Sequence, residues 1–472
     1  MTGADPMTGR RTFIGTKALV LAATLLLGAV LFQPSVRADT IGRAEIMTLL
    51  AGGRFDELDR RLVEIDDDAN AQKRPETDLI RAFDAFATSD PAVLTQLDRW
   101  VAERPNSGMA LAARAVSRSH LVQMMRYSDS FRAADEDFSR EIKIRQRDAI
   151  VDAQKGLAIK EMNPIGFVLS VKLFIAWGDP QSVEEWYRIA INDLPASPAI
   201  HRAYLSFYAP WNQATVSPED SLARLQGITD SLEKGFGKDP DFVWLRGYAD
   251  YVRGESLRRS GHPADAIDSF SVALTKSDDA EYRIGRAQAY LAMGDGQAAL
   301  ADFSQALALE PDLAPAVHGQ ALAWEKLGQM KDALAALDHA VALDPLNPLY
   351  LTDRARLLRQ AKRNDEAQRD MDAALQYGSH DPWVQVWRGA VYEPTSPETA
   401  ATAFQEAASL APSEPAYLKR YADFLLRHED CSAINVVERY NEACRADVGC
   451  GEKARQLEDA ATALKSKMSC AG

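Results

Sequence analysis

The stretch AEYRIGRAQAYLAMGDGQAALADFSQALALEPDL, Ala280 to Leu313, decides the architecture of this chain because the next 34 residues repeat it. Laid over Ala314 to Asn347, it sets Ala287 on Ala321, Tyr290 on Trp324, Gly294 on Gly328 and Ala299 on Ala333. Phe303 then falls on Leu337, Ala306 on Ala340 and Pro311 on Pro345. A fixed period of this size marks a supersecondary unit that cannot bury its apolar face alone and must stack on copies of itself.

Flanking units continue the register with decay. Upstream, Gly254, Leu257, Gly261, Ala266, Phe270 and Ala273 occupy the same positions; downstream come Ala355, Leu358, Ala367, Met371 and Ala374, with Lys362 where a glycine is expected. A fifth, looser unit runs through Trp383, Gly389, Tyr392, Ala400, Phe404, Ala407 and Pro412. Residues 247–412 thus read as about five repeats of an all-α chain.

The pattern resembles the tetratricopeptide repeat. That resemblance implies a right-handed α-solenoid, a superhelix whose inner groove is lined by the first helix of each unit, and it implies a protein or peptide partner. Carried over position by position, the groove residues are Tyr248, Tyr251, Glu255 and Arg258, then Glu281, Ile284, Gln288 and Leu291. His318, Leu322 and Glu325 follow, then Thr352, Arg356 and Arg359, then Trp383 and Val386. Aromatic and arginine side chains supply much of the binding energy at protein interfaces, which makes this lining suited to a peptide. The Lys and Asn pairs of a chaperone-type carboxylate clamp are missing.

Residues 39–239 also read as helical, without a clean repeat. In Arg54 to Ile65 the apolar residues Phe55, Leu58, Leu62 and Ile65 mark one face of an amphipathic helix. Further helices are expected over 79–87, 91–103, 109–125, 138–160, 164–177, 181–193 and 199–208, with Asp90 capping the helix that Pro91 starts. GRFDELD, Arg99 to Ala115 and Ala149 to Pro164 together resemble an all-helical bacterial domain family of unknown function. Trp100, Trp177, Trp186, Tyr204, Phe207, Tyr208 and Trp211 read as interior packing.

Arg10, Arg11 and Lys17 precede an apolar run from Ala18 to Phe32, and PSVRA (Pro34 to Ala38) supplies small residues for a signal peptidase. The expectation is a signal peptide over residues 1–38 and a periplasmic or secreted protein; RRTFIG resembles a twin-arginine signal. At ~1.5 Å per residue the run is short for a ~30 Å hydrocarbon core, so an uncleaved inner-membrane anchor is the alternative. The net charge of −14 argues against nucleic-acid binding, which begins with a cationic face.

All four cysteines lie near the C-terminus, in an expected cap over residues 413–472. Residues 432–443 and 452–467 read as two helices. Cys431 and Cys444 stand at opposite ends of the first, ~20 Å apart at 1.5 Å per residue, too far to pair. Of the pairings that remain, the preferred one is nested, with Cys444 to Cys450 closing the turn and Cys431 to Cys470 stapling the open end; the connectivity itself stays open.

HExxH, GxSxG and a complete phosphate loop do not occur, and the seven histidines are scattered. No catalytic residue, metal site or cofactor is expected. The reading is an exported protein–protein interaction scaffold of the bacterial cell envelope. ERYNEAC (Glu438 to Cys444) resembles Sel1-like repeats, and the alternative is a binding protein or enzyme acting on cell-wall fragments through the N-terminal helical domain.

Overall fold

Proline after a short polar residue starts helices along the whole chain. Pro91, Pro180, Pro198 and Pro218 each follow an aspartate or serine whose side chain accepts a hydrogen bond from a backbone N–H in the first turn. The missing N–H of a proline costs nothing at that position, and its fixed φ suits the helix. Asp90 is such a cap, its carboxylate accepting from the Ala92 N–H at 2.8 Å.

The computed structural model describes residues 41–125, 136–159, 164–213, 215–444, 451–468 and 470, and residues 41–472 cluster as one unit. The expected export segment lies outside the described residues. Ten α-helices come first: α1 Arg43–Ala51, α2 Phe55–Asn70, α3 Glu76–Asp84, α4 Pro91–Glu103, α5 Gly108–Met125, α6 Glu136–Ile159, α7 Pro164–Trp177, α8 Pro180–Asp193, α9 Pro198–Phe207 and α10 Pro218–Phe236. Leu58, Leu62 and Ile65 of α2 bury their common face with Phe83, Phe86, Leu97 and Trp100.

Six antiparallel pairs follow. They are α11 Leu245–Arg259 with α12 Pro263–Lys276, α13 Ala280–Met293 with α14 Gly296–Leu309, and α15 Ala314–Lys326 with α16 Met330–Leu343. Then come α17 Pro348–Gln360 with α18 Asn364–Gly378, α19 Pro382–Tyr392 with α20 Pro397–Leu410, and α21 Pro415–Arg427 with α22 Ala433–Ala443. A last helix, α23 Gly451–Met468, packs on α21 and α22. No strand occurs among the described residues, and the fold is an all-α solenoid as expected.

The spacing of small and large residues explains the stacking. Phe270 of α12 is fully buried between two glycines. A Cβ on Gly254 would come within 2.8 Å of its ring, and one on Gly285 within 2.6 Å. One aromatic therefore fills a gap that exists only because both neighbouring first helices lack a side chain there. Truncating such a residue costs about 3–5 kcal/mol.

Five of the six hairpin turns use a left-handed residue. In the first three repeats these are Gly261, Gly294 and Gly328, with φ of 81°, 82° and 72°. The N–H after each returns to a carbonyl one turn back, as from Asp295 to Tyr290 O at 2.9 Å. Lys362 and Glu429 take the same place in the fourth and sixth repeats with φ of 61° and 55°. Geometry is kept there without the residue that adopts it most readily.

The early helices run along the loops that join successive repeats. Arg202 of α9 pairs with Asp279 at 3.1 Å and Glu281 at 3.0 Å, beside the first inter-repeat loop. Asp344, in the third such loop, accepts from the Ser89 N–H at 2.8 Å and lies 2.7 Å from His120 Nε2. Arg43 donates to Leu343 O at 2.8 Å. The Phe138 ring stacks on His380 of the fourth loop, with centroids 4.2 Å apart.

At the far end Cys431 and Cys470 form a disulfide, the preferred of the expected pairings, with Cα atoms 5.7 Å apart. Cys444 is also disulfide-bonded. Cys450 lies outside the described residues.

Candidate partner-binding groove

On a helix, residues spaced three and four apart share a face, so positions 318, 322 and 325 or 352, 356 and 359 line one side of each first helix. The neighbours packed on these side chains decide what each can do.

At the N-terminal end the groove is filled by the chain itself. Tyr248 is buried, 4% exposed, between Trp244 and Tyr251, and Tyr251 stacks on Tyr282 with centroids 4.9 Å apart. The Arg202 guanidinium from α9 lies over the Trp244 ring at 5.0 Å. Burial pushes the Tyr248, Tyr251 and Tyr282 hydroxyls well above the ordinary phenol range. Glu255 is buried and receives two hydrogen bonds from Arg258, at 3.0 and 2.8 Å. These residues brace the first repeat against α9. Ile284, Gln288 and Leu291 are half-buried in the second repeat.

In the middle a chain of charges crosses from repeat to repeat. His318 is buried with Nε2 2.7 Å from Asp353, and its ring lies 4.9 Å from that of Tyr350. Arg356 donates through Nη2 to Glu325 at 2.6 Å and through Nε to Asp353 at 3.4 Å. Burial works against the Arg356 charge, but the hydrogen bonds to Glu325 and the charge of Asp353 outweigh it and hold its pKa above the ordinary arginine value. Thr352 is fully buried, and its hydroxyl lacks a hydrogen-bond partner.

The C-terminal part is open. Trp383 is 37% exposed, more than any other tryptophan on the repeats' first helices, and meets Trp387 edge to face at 5.7 Å. Arg356 and Arg420 lie over the Trp387 ring at 5.7 and 5.9 Å. The indole Nε1 of Trp387 is buried without a hydrogen-bond partner. Leu322 and Arg359 are half-buried, and Arg359 forms no ion pair among the described residues. Residue-by-residue carry-over names Trp383 and Arg359, but misses Trp387 and Arg420. Their signal is weaker: Trp387 stands one helical turn after Trp383, and Arg420 occupies in α21 the place Trp387 holds in α19.

These stacked helix pairs form an α-solenoid. Residues 284–348 match the Tetratricopeptide repeat family, and residues 42–212 match the family described as Domain of unknown function (DUF4034). Among solved structures, a thermophilic TPR protein of Thermus thermophilus is 21% identical over 38% of this chain and 99% of its own, with a TM-score of 0.36. Yeast Tom70 is 14% identical over 87% of this chain and 97% of its own, at 0.41. A tetratricopeptide repeat protein from Parabacteroides merdae ATCC 43184 is 18% identical over 55% and 97%, at 0.37. Such a fold suggests a protein–protein interaction scaffold with a protein or peptide partner. No helix among the described residues is long and apolar enough to cross a membrane.

Proposed function

We propose that this chain is an exported, non-enzymatic adaptor whose groove, from the third repeat onward, holds a peptide or helix of a cell-envelope partner. The observation that carries the reading is the Trp383 and Trp387 pair, one exposed and the other set between Arg356 and Arg420. Rigid aromatic faces flanked by guanidinium groups are the surfaces on which interfaces concentrate their energy. Leu322 and Arg359 extend the same lining. The sequence over residues 1–38 supports export.

Arg356 is tied to Glu325 and Asp353, so its reversal would disturb the solenoid itself. The test uses Trp383→Ala with Arg359→Glu, two changes outside that network. In-cell crosslinking and quantitative affinity capture should enrich one envelope protein with the wild type and lose it with the double variant at an unchanged melting temperature. Equal enrichment by both chains would remove the groove reading. Sequencing the N-terminus of the exported chain checks cleavage after Ala38.

A further inference from the structure

Along the first helices of the third to sixth repeats, α15, α17, α19 and α21, every carboxylate already has a base. Glu325 and Asp353 are held by Arg356, and Asp423 lies 2.6 Å from Lys419 Nζ. The reverse does not hold. Arg354, Arg388 and Arg427 pair with Asp370, Glu406 and Glu393, outside these four helices, but Lys326, Arg359 and Arg420 form no ion pair among the described residues. The first helices therefore carry surplus positive charge on a chain whose net charge is −14.

Two of the three surplus cations stand in the lining that Trp383 and Trp387 open. Arg420 is exposed, its guanidinium 5.9 Å from the Trp387 ring centroid, and Arg359 is half-buried one turn after Arg356. On the helix between them Trp383 is 37% exposed. Helices α17, α19 and α21 touch in that order. Packed helices stand about 8–10 Å apart, so the axes that carry Arg359 and Arg420 are separated by roughly 16–20 Å. An extended chain covers that span in about six residues at ~3.3 Å each. A single free carboxylic acid reaches only one of the two guanidinium groups.

From this arrangement we infer that the occupant of the groove is an acidic peptide segment, its carboxylates on Arg359 and Arg420 and an apolar side chain between them on Trp383. The inference rests on the groove reading above and adds the charge and length of what the groove takes. A guanidinium grips both oxygens of a carboxylate, and an exposed indole face covers an aliphatic or aromatic side chain at little ordering cost. A basic segment would meet like charge at both arginines and find no unpaired carboxylate on these four helices. Nucleic acid would need a cation for each phosphate, and Glu325, Asp353 and Asp423 stand among the bases instead.

Selection of a phage-displayed library of random dodecapeptides on the purified full chain tests the charge and the anchor separately. The pool bound by the wild type should be enriched in Asp and Glu on both sides of an apolar residue. Arg359→Gln with Arg420→Gln, two changes outside the ion-pair network, should remove the acidic enrichment at an unchanged melting temperature and keep the apolar one. By fluorescence anisotropy the most enriched peptide should lose about tenfold in affinity when its Asp and Glu are replaced by Asn and Gln, and the double variant should bind both forms alike. A wild-type pool without acidic bias, or an acidic bias that survives in the double variant, overturns the inference and leaves the groove reading to Trp383→Ala, which should remove the apolar enrichment. No enrichment by the wild type, or a pool that Trp383→Ala leaves unchanged, overturns the groove reading and the inference with it.

Discussion

Oδ2 of Asp344 lies 2.7 Å from Nε2 of His120, which joins the loop between the third and fourth repeats to a helix 224 residues upstream. The other carboxylate oxygen accepts from Ser89, and Asn347 Nδ2 donates to Oδ2 at 2.9 Å. Burial alone would raise the Asp344 pKa, but the hydrogen bond to His120 and those from Ser89 and Asn347 outweigh it and hold the carboxyl below its ordinary 3.8.

A depressed carboxyl pKa contributes stability that is present above the unfolded value and is lost as pH falls through the folded one. Asp344→Asn should therefore cost about 2 kcal/mol near pH 6, with the deficit shrinking below pH 3.8. Urea unfolding of both chains from pH 6 to pH 3 measures this; a deficit independent of pH would assign the loss to packing.

Glu76 behaves with the opposite sign. Burial raises its carboxyl to about 7, against hydrogen bonds from Ser197 and the Ala199 N–H, with Asp241 and Asp66 adding to the rise. The folded state binds the proton more tightly than the unfolded one, so stability falls as pH climbs from 4.5 through 7. Glu76→Gln should raise the melting temperature at pH 8 and leave it unchanged at pH 4. Scanning calorimetry at the two pH values distinguishes these outcomes.

Lys362 holds a φ of 61° at a turn where three other repeats use glycine. Lys362→Gly should stabilise the fourth hairpin by about 0.5–1 kcal/mol, the relief of left-handed strain less the entropy glycine adds to the unfolded chain. Hydrogen exchange of the amides over residues 357–367 should slow correspondingly, while exchange in the second repeat stays constant.

The Cys431–Cys470 bridge closes a loop of sequence separation 39, worth about 4 kcal/mol in the chain-entropy description. Cys470→Ser should leave repeats one to four unaffected and speed exchange over residues 451–468. Leu457, Ala461 and Leu464, buried against Tyr440 and Val436, should then bind an apolar dye. An unchanged exchange rate would mean that packing alone retains α23.

The repeats are legible because their signals are local and recurrent. Gly294 and Gly328 mark turns, Phe270 and Phe303 mark crossings, and the prolines mark starts. Helix α10 has equally local signals in Ser217, Pro218 and the spacing of Leu222, Leu225, Ile228 and Leu232, although the sequence reading assigns no helix there. Groove positions are legible only as directions on a helix. Trp383 and Arg359 are accessible as that direction implies, whereas Tyr248 meets Trp244 beneath Arg202 of α9, and His318 pairs with an aspartate 35 residues later. Ser89 and Asp344 carry no periodicity and stand 255 residues apart, so their contact has no signature in the sequence.

Repeat arrays ordinarily fold from any point outward, each unit needing only its neighbours. The contact of Ser89 and Arg43 with residues 343 and 344 changes that order of events here. During synthesis the first helices emerge some 255 residues before the loop that satisfies them. Until then Thr88, Ser89 and the His120 face have no partner loop. The late arrival of the third repeat, rather than the formation of any single hairpin, then sets when the chain becomes resistant to proteolysis.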